Sequence, residues 1–223
     1  MNTMVKRLIL KDWYFQRWLI GGYFAGGVVS LAFLGMGGSW SFYAGTVLLM
    51  TVLIAMGAQV VIGTVVRERS QQTLPFIMTL PVSTWEYTTA KILANVTIFL
   101  VPWTALVAGT IGVLAGSPRV PIGMIPFAVI VLTELFASYC LTLAVAIVTE
   151  SEGWTIGAIV FGNLFLQGFL YFVARIRSIA GPMGGPHLVW SRDASFLFVG
   201  EIGVILLLLG ITFYVQSRKT DFL

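Results

Sequence analysis

The sequence predicts an all-α membrane protein with six transmembrane helices, and three observations lead to this fold class. Apolar residues make up 58% of the 223 residues and charged residues only 10%, whereas soluble domains carry about 25% charged residues. The apolar residues form six stretches of about 20 residues, the length that crosses a bilayer as a helix. Most charges lie between these stretches. We therefore expect one transmembrane domain over residues 1–223.

The six spans are taken in chain order from the limits of the apolar stretches. They are predicted at residues 18–36, 42–66, 84–114, 122–148, 153–173 and 196–215. Three short connections, GMGGSWS, GSPRVP and TESEG, join spans 1–2, 3–4 and 4–5. Two connections are longer, a loop at 67–83 and a loop at 174–195. The GPMGGPH sequence of the second loop excludes a long regular helix there.

A separate interfacial helix is predicted before span 1, over residues 5–17. Arg7 and Lys11 are four residues apart, and Trp13, Tyr14 and Trp18 suit the headgroup zone of a membrane. We expect this helix to lie along the membrane surface.

Basic residues near the span ends predict the orientation. With the N-terminus inside, nine of the thirteen Lys and Arg residues fall on the inner side. They are Lys6, Arg7, Lys11, Arg17, Arg67, Arg69, Lys91, Arg218 and Lys219. Both termini and loop 67–83 are therefore expected in the cytoplasm, and loop 174–195 is expected to be external. The basic residues flank apolar segments instead of forming one basic face, which argues against nucleic acid as a partner.

Loop 67–83 contains local signals for a short helix. Pro75 is tolerated in a first helical turn, and Pro81 disfavours helix at the residue before it. Between them, Leu74, Ile77 and Met78 fall on one helical face. This short apolar helix either rests on lipid headgroups or docks on a protein partner, and its shortness and the charges before it favour the partner.

A second helix start follows immediately. Ser83 and Glu86 have the spacing of a capping box, so span 3 is expected to begin at about Thr84. In the TESEG connection, Glu150 and Glu152 either touch the same partner or begin span 5, with Thr149 and Glu152 in capping-box spacing.

The sequence RERSQQTLPFIMTLPVSTWEYTTAKIL resembles the first cytoplasmic loop of ABC type-2 permeases. The matching positions are Glu68, Arg69, Thr73, Leu74, Leu80 to Ser83, Glu86 and Lys91. The six-span layout extends the similarity to the whole chain, and residues 5–17 correspond to the elbow helix of that family. One position departs from the pattern, because many members carry an acidic residue where this chain has Pro75.

The resemblance implies a bacterial inner-membrane exporter subunit that works as a dimer with separate ATP-binding-cassette ATPase subunits. Its short loop helix would be a coupling helix that docks on the ATPase. The implied docking residues are Arg67, Glu68, Arg69, Thr73, Leu74, Phe76, Ile77, Met78 and Glu86. The sequence has no GxxxxGK[ST] phosphate loop, so this chain is not expected to be an enzyme. ATP and Mg²⁺ would be bound by the partner.

Carboxylates within predicted spans are candidates for function, because charge inside a membrane is costly. Glu134 in span 4 and Glu201 in span 6 qualify, and Glu201 is also placed for an interfacial role beside Arg192. Asn163 and Gln167 lie four apart on span 5. These four residues are candidates for the substrate pathway, and interhelical hydrogen bonding is the alternative for the two amides.

Three other classes remain open on the residues alone: a proton-coupled carrier, a membrane-embedded enzyme and a purely structural membrane partner that anchors other proteins. A proton-coupled carrier or a membrane-embedded enzyme would use Glu134 and Glu201. A carrier often shows inverted repeats, and no convincing repeat is seen in this sequence. His187 stands alone and Cys140 is the single cysteine, so neither a metal site nor an internal disulfide is expected. Substrate identity does not follow from the sequence.

Overall fold

The computed structural model describes residues 3–67 and 84–218, which form a bundle of long helices. The long helices are α1 (Thr3–Gly35), α2 (Ser39–Val61), α3 (Thr84–Gly116), α4 (Ile125–Thr149), α5 (Glu152–Val173) and α7 (Arg192–Ser217). The short elements are a π-helical turn (Ile62–Val66) after α2, a 3₁₀ turn (Ile122–Met124) before α4, helix α6 (Arg177–Ala180) and a 3₁₀ turn (Gly181–Gly184).

Six of these helices, α1 to α5 and α7, are long and apolar enough to cross a membrane, and no strand occurs within the described residues. This confirms the predicted all-α class with six spans. Most helix ends fall within a few residues of the predicted limits. The last span begins earlier than predicted, at Arg192, because the Ser191 hydroxyl accepts a hydrogen bond from the Ala194 N–H at 3.2 Å and caps the helix there.

The N-terminal helix differs from the expectation of a separate elbow. α1 continues from Thr3 to Gly35 without a break, so a separate helix over residues 5–17 is not confirmed. With 33 residues, α1 is about 50 Å long, which exceeds the hydrocarbon core of about 30 Å. The surface position predicted for residues 5–17 stays a prediction.

The turn between α4 and α5 also differs from the expected capping. Thr149 is the last residue of α4, and its hydroxyl donates to the Val145 carbonyl at 2.8 Å. Glu150 takes a left-handed conformation with φ of 59°, and α5 begins after Ser151. The predicted capping box of Thr149 and Glu152 is therefore wrong, because the Thr149 side chain belongs to the preceding helix.

Helix α4 is the centre of the bundle. Its most apolar window is 78% buried, against 17–44% for the other five spans, and it packs against α2, α3, α5 and α7. Aromatic rings join it to α3: Phe99 stacks on Tyr139 with ring centroids 4.1 Å apart, and Trp103 packs against Phe136 at 5.2 Å. Four of the other five spans therefore use α4 as their common packing surface, and α1 packs on α2 and α3.

Helices α1 and α2 approach each other closely at Gly45. A Cβ atom at this position would lie 2.8 Å from both the Ser30 carbonyl oxygen and the Leu34 amide nitrogen of α1. Close backbone approach at small residues is a common means of packing membrane helices. Gly45 thus fixes the distance between the first two spans.

We expect Gly45→Ala to destabilise the protein by about 1–3 kcal/mol, because the new methyl group meets backbone atoms that cannot rotate away. Thermal unfolding of the purified protein in mild detergent, followed by tryptophan fluorescence, measures the effect. Gly203→Ala in α7 is the matched control, since a Cβ there meets nothing within 4 Å. Equal melting temperatures for the two variants would contradict the close packing at Gly45.

Candidate functional site

A buried ion pair joins α1 to α3 near the end of the bundle at which α2 stops and α3 starts. Lys91 Nζ lies 3.0 Å from Asp12 Oδ2, and the two side chains are only 8% and 7% exposed. Lys11 Nζ lies 3.6 Å from the other oxygen, Asp12 Oδ1. Charges in such a position are tolerated only when they are paired, so the pair holds the two helices in one relative position.

Asn95, one turn after Lys91, extends this contact to two more helices. Its Nδ2 donates to the Lys91 carbonyl at 2.9 Å, and its Oδ1 accepts from the Thr64 hydroxyl at 2.6 Å. Its own carbonyl accepts from the Tyr139 hydroxyl at 2.8 Å. We refer to Asp12, Thr64, Lys91, Asn95 and Tyr139 as the basal cluster, and its members come from α1, α2, α3 and α4.

The end of α2 is wound as a π-helical turn beside this cluster. The turn spans Ile62–Val66 and includes Thr64. Gln16 of α1 approaches its backbone so closely that a Cβ at Gly63 would lie 2.5 Å from Gln16 Nε2. Single π turns are frequent at functional sites, and this one leads directly to Arg67.

Only two of the predicted docking residues lie among the described residues. Arg67 is exposed at the end of α2, and Glu86 is half-buried in the first turn of α3. The remaining candidates, Glu68, Arg69, Thr73, Leu74, Phe76, Ile77 and Met78, lie outside the described residues. The structure therefore shows where loop 67–83 leaves and rejoins the bundle: it leaves at Arg67, three residues after Thr64, and rejoins at Thr84, two turns before Lys91.

A second polar site lies between α4, α5 and α7, in a groove of about 410 Å³ that contains both intramembrane carboxylates. We refer to it as the carboxylate groove. Glu134 and Glu201 each lie nine residues after the first residue of their helices, which is about 14 Å along the axis. Helices α4 and α7 are the fourth and sixth spans, so they enter the membrane from the same side. The two carboxylates therefore lie equally far along their helices, and both line the same groove.

The two carboxylates are buried to the same extent but differ in their partners. Glu134 is 7% exposed and Glu201 is 6% exposed. Glu134 Oε1 accepts a hydrogen bond from the Ser138 hydroxyl, one turn later on α4, at 3.1 Å. Neither carboxylate oxygen of Glu201 has a hydrogen-bond partner among the described residues. The predicted association of Glu201 with Arg192 does not form, since the two are separated by that same length of α7.

The rest of the groove is apolar and strongly aromatic. Phe161, Phe165 and Phe169 follow one another at four-residue spacing on α5, with successive ring centroids 6.2 Å apart. Phe196 of α7 completes the aromatic lining. The two carboxylates thus face a wall of phenylalanine rings.

The predicted amide pair does not join the carboxylates. Asn163 lines a small cavity of about 40 Å³ between α2, α4 and α5, and its Nδ2 donates to the Ile159 carbonyl of its own helix at 2.8 Å. Gln167 is exposed. Within residues 3–67 and 84–218, no group of three His, Cys, Asp or Glu side chains is placed to hold a metal ion.

Sequence reasoning did not identify Asp12 as a site residue, and it included Lys91 only as part of a motif. One signal could have found the pair. Asp12 is the only acidic residue in the Thr3–Gly35 segment, and Lys91 is the only basic residue in the Thr84–Gly116 segment. Lone opposite charges on two membrane helices are candidates for pairing. Asn95 is identifiable as a polar residue within a predicted span. Thr64 and Tyr139 carry no comparable signal, because their partners depend on helix rotation.

A family model described as ABC-2 family transporter protein matches residues 22–168, about two thirds of the chain. The matched range begins inside α1, contains loop 67–83 and ends inside α5. It therefore covers most of the basal cluster and Glu134, and it stops before Glu201. No curated protein and no solved structure matches the chain.

Lys91→Met tests the buried ion pair. We expect the free energy of unfolding to fall by about 3 kcal/mol, because the buried Asp12 would lose its closer partner and keep only the longer contact to the more exposed Lys11. The double variant Asp12→Leu with Lys91→Met removes both charges and is expected to recover most of the loss. Thermal unfolding in mild detergent provides the comparison.

Lys6→Met is the control for this series, because Lys6 is an exposed residue of α1, the helix that carries Asp12. It should leave the melting temperature unchanged. A double variant that is less stable than Lys91→Met alone would show that the ion pair is not what makes the single change costly.

Proposed function

The chain belongs to the ABC-2 family of transporter proteins, and from this premise we propose that it is the membrane-spanning permease subunit of an ATP-driven exporter. It is a multi-pass membrane protein of a transporter family. The observation that carries the proposal is the family match, which runs through loop 67–83 and both helices that hold it. Export and residence in a bacterial inner membrane with both termini in the cytoplasm complete the proposal.

Loop 67–83 is the proposed coupling element. Leu74, Phe76, Ile77 and Met78 would form its apolar docking face, and Arg67, Glu68, Arg69, Thr73 and Glu86 would surround it with polar contacts. The geometry of the described helices supports this role. Because the loop leaves from the π turn of α2 and returns into α3, a force on it acts first on two helices that Thr64 and Asn95 join directly. Movement of the loop would therefore displace the end of α2 and the start of α3 together.

The energy source would be a separate ATP-binding-cassette ATPase. The sequence contains no GxxxxGK[ST] pattern. In such enzymes this pattern forms the loop that binds phosphate groups. ATP and Mg²⁺ would accordingly belong to the partner, and this chain would supply no catalytic residue. Two ATPase subunits would act on two copies of the permease.

The substrate pathway is proposed to include Glu134 and Glu201. They share one groove, whereas Asn163 and Gln167 lie elsewhere, so the two amides would contribute to helix packing or to a different stage of transport. The second permease copy would complete the pathway. The exposed apolar face of α1 is available for this contact.

A proton-coupled carrier is the second candidate, and the paired placement of Glu134 and Glu201 is the observation that favours it. Buried carboxylates at membrane depth occur in proton relays. The two candidates differ in their energy source. Transport by the carrier would continue without ATP, and transport by the exporter would not.

The double variant Leu74→Asp with Ile77→Asp tests the docking face. Two charges on an apolar docking face would have to be desolvated on binding, so we expect the ATPase subunit to be lost when the tagged permease is purified from native membranes. Quantitative mass spectrometry of the purified fraction measures the ATPase to permease ratio.

The matched control is Leu188→Asp with Val189→Asp, the same chemical change at exposed residues of the loop before α7. This control should keep the wild-type ratio. The proposal fails if the Leu74 and Ile77 variant retains its ATPase, or if no ATPase accompanies the wild-type chain.

Thr64→Val tests transmission through the basal cluster. The change keeps the shape of the side chain and leaves the buried Asn95 Oδ1 without its donor, at a cost of about 1–3 kcal/mol. We expect the ATPase subunit still to co-purify while the ATPase rate of the reconstituted complex falls about tenfold, the change that 1.4 kcal/mol produces. Thr64→Ser retains the hydroxyl and should restore the rate. Equal rates for the Val and Ser variants would rule out a positioning role for Thr64.

A further inference from the structure

We propose that the carboxylate groove binds hydrophobic organic cations, molecules in which one positive charge is carried by a largely apolar body. This inference rests on the proposed function, because it names the substrate class that the exporter would take from the membrane. The groove lies between α4, α5 and α7, and its two polar anchors are Glu134 and Glu201.

The charge of the groove supports a cationic ligand. Its lining contains two carboxylates and no Lys, Arg or His. Glu201 is 6% exposed, and both of its oxygens lack a partner among the described residues. A buried carboxylate without a partner is costly in a membrane, and a ligand cation would remove this cost. The structure therefore holds an acceptor that is ready for a positive group.

The aromatic wall supports the apolar part of the same ligand. Phe161, Phe165, Phe169 and Phe196 line the groove, and aromatic faces attract organic cations as well as apolar surface. A small inorganic ion would find only two carboxylates and would have to give up its water in an otherwise apolar site. An organic cation has little hydration to lose and fills the space beside the rings.

The size and position of the groove agree with a ligand that arrives through the lipid. Its volume of about 410 Å³ lies within the range of ordinary ligand pockets, about 300–1,000 Å³. Phe161 and Phe196 are 59% and 80% exposed at its margin. The carboxylates lie about 14 Å along α4 and α7 from the starts of these helices, within both predicted spans. A molecule dissolved in the bilayer can therefore reach the groove from the side.

A second copy of this chain is a poorer occupant of the groove. Covering Glu201 with another protein surface would require a compensating positive charge at the same depth. The sequence has no Lys or Arg within residues 120–174 or within 193–217, so α4, α5 and all of α7 after Arg192 cannot supply one. Asp12 already pairs with Lys91 in α1 and α3. A small cationic ligand can supply the positive charge that these spans lack.

The experiment measures binding of tritiated tetraphenylphosphonium to the purified full-length chain in nanodiscs of phosphatidylcholine. Tetraphenylborate, measured in separate samples, is the matched comparison, because it has nearly the same size and apolar surface with the opposite charge. We expect saturable binding of the phosphonium and no saturable binding of the borate. Glu201→Gln and Glu134→Gln should each weaken binding at least about tenfold, since each removes one charge of the buried site. Glu201→Asp should retain it.

Glu152→Gln is the control variant, because it removes an exposed carboxylate at the start of α5, away from the groove. Its affinity should equal that of the wild type. Unchanged binding in the two groove variants would overturn the proposal, and so would equal binding of phosphonium and borate by the wild type, which would make the groove a merely apolar surface. The borate comparison needs no variant and stands even if a substitution impairs folding.

Occupation by a second copy is tested by Phe165→Cys in a Cys140→Ser background. An intermolecular disulfide between such cysteines in native membranes would place protein over the groove and overturn the proposal.

The ATPase pull-down described above separates the ligand proposal from the exporter proposal. ATPase co-purification without phosphonium binding would refute the ligand class alone, and phosphonium binding without an ATPase would refute the exporter and leave the site.

Discussion

The constraint on which this structure depends is the high cost of an unpaired polar group in hydrocarbon. Buried threonines meet it within their own helix: Thr110 and Thr142, for example, donate to the carbonyl four residues earlier. Asp12 and Lys91 instead pair across α1 and α3, and the Asn95 carboxamide oxygen accepts from Thr64 in the π turn after α2. The arrangement of α1, α2 and α3 at this end of the bundle follows from that requirement. Glu201 is a buried carboxylate that has no hydrogen-bond partner among the described residues.

Much of the fold could be predicted because composition and apolar length report directly on the membrane as solvent. The six spans needed no knowledge of packing. The continuity of α1 could not be predicted in the same way, since Trp13, Tyr14 and Trp18 suit an interface whether or not the helix bends after them. Whether α1 bends there depends on what it packs against. In the structure the Trp13 indole N–H donates to the Thr97 hydroxyl of α3 at 3.3 Å. That contact is tertiary and has no local signal.

The candidate site shows the same division. Glu134 and Glu201 were identifiable as membrane carboxylates, although Glu201 was also predicted in an interfacial role beside Arg192. That they line one groove depends on the rotation of α4 and α7, whose sequences are almost uniformly apolar. The four-residue spacing of Asn163 and Gln167 predicts one side of α5, but which neighbours that side meets depends on packing. Small residues decide it: Gly162 lets Ser138 of α4 approach within 3.5 Å of a Cβ position there.

Helix α4 gives the two polar sites a physical connection. Tyr139 bonds the Asn95 carbonyl in the basal cluster, and the adjacent residue Ser138 bonds Glu134 in the groove. Cores packed as closely as this one transmit displacement instead of absorbing it. A single helix thus carries a contact to each polar site, through adjacent residues. If the proposed exporter function holds, a change at the carboxylate pair would reach the basal cluster through α4 without a long pathway.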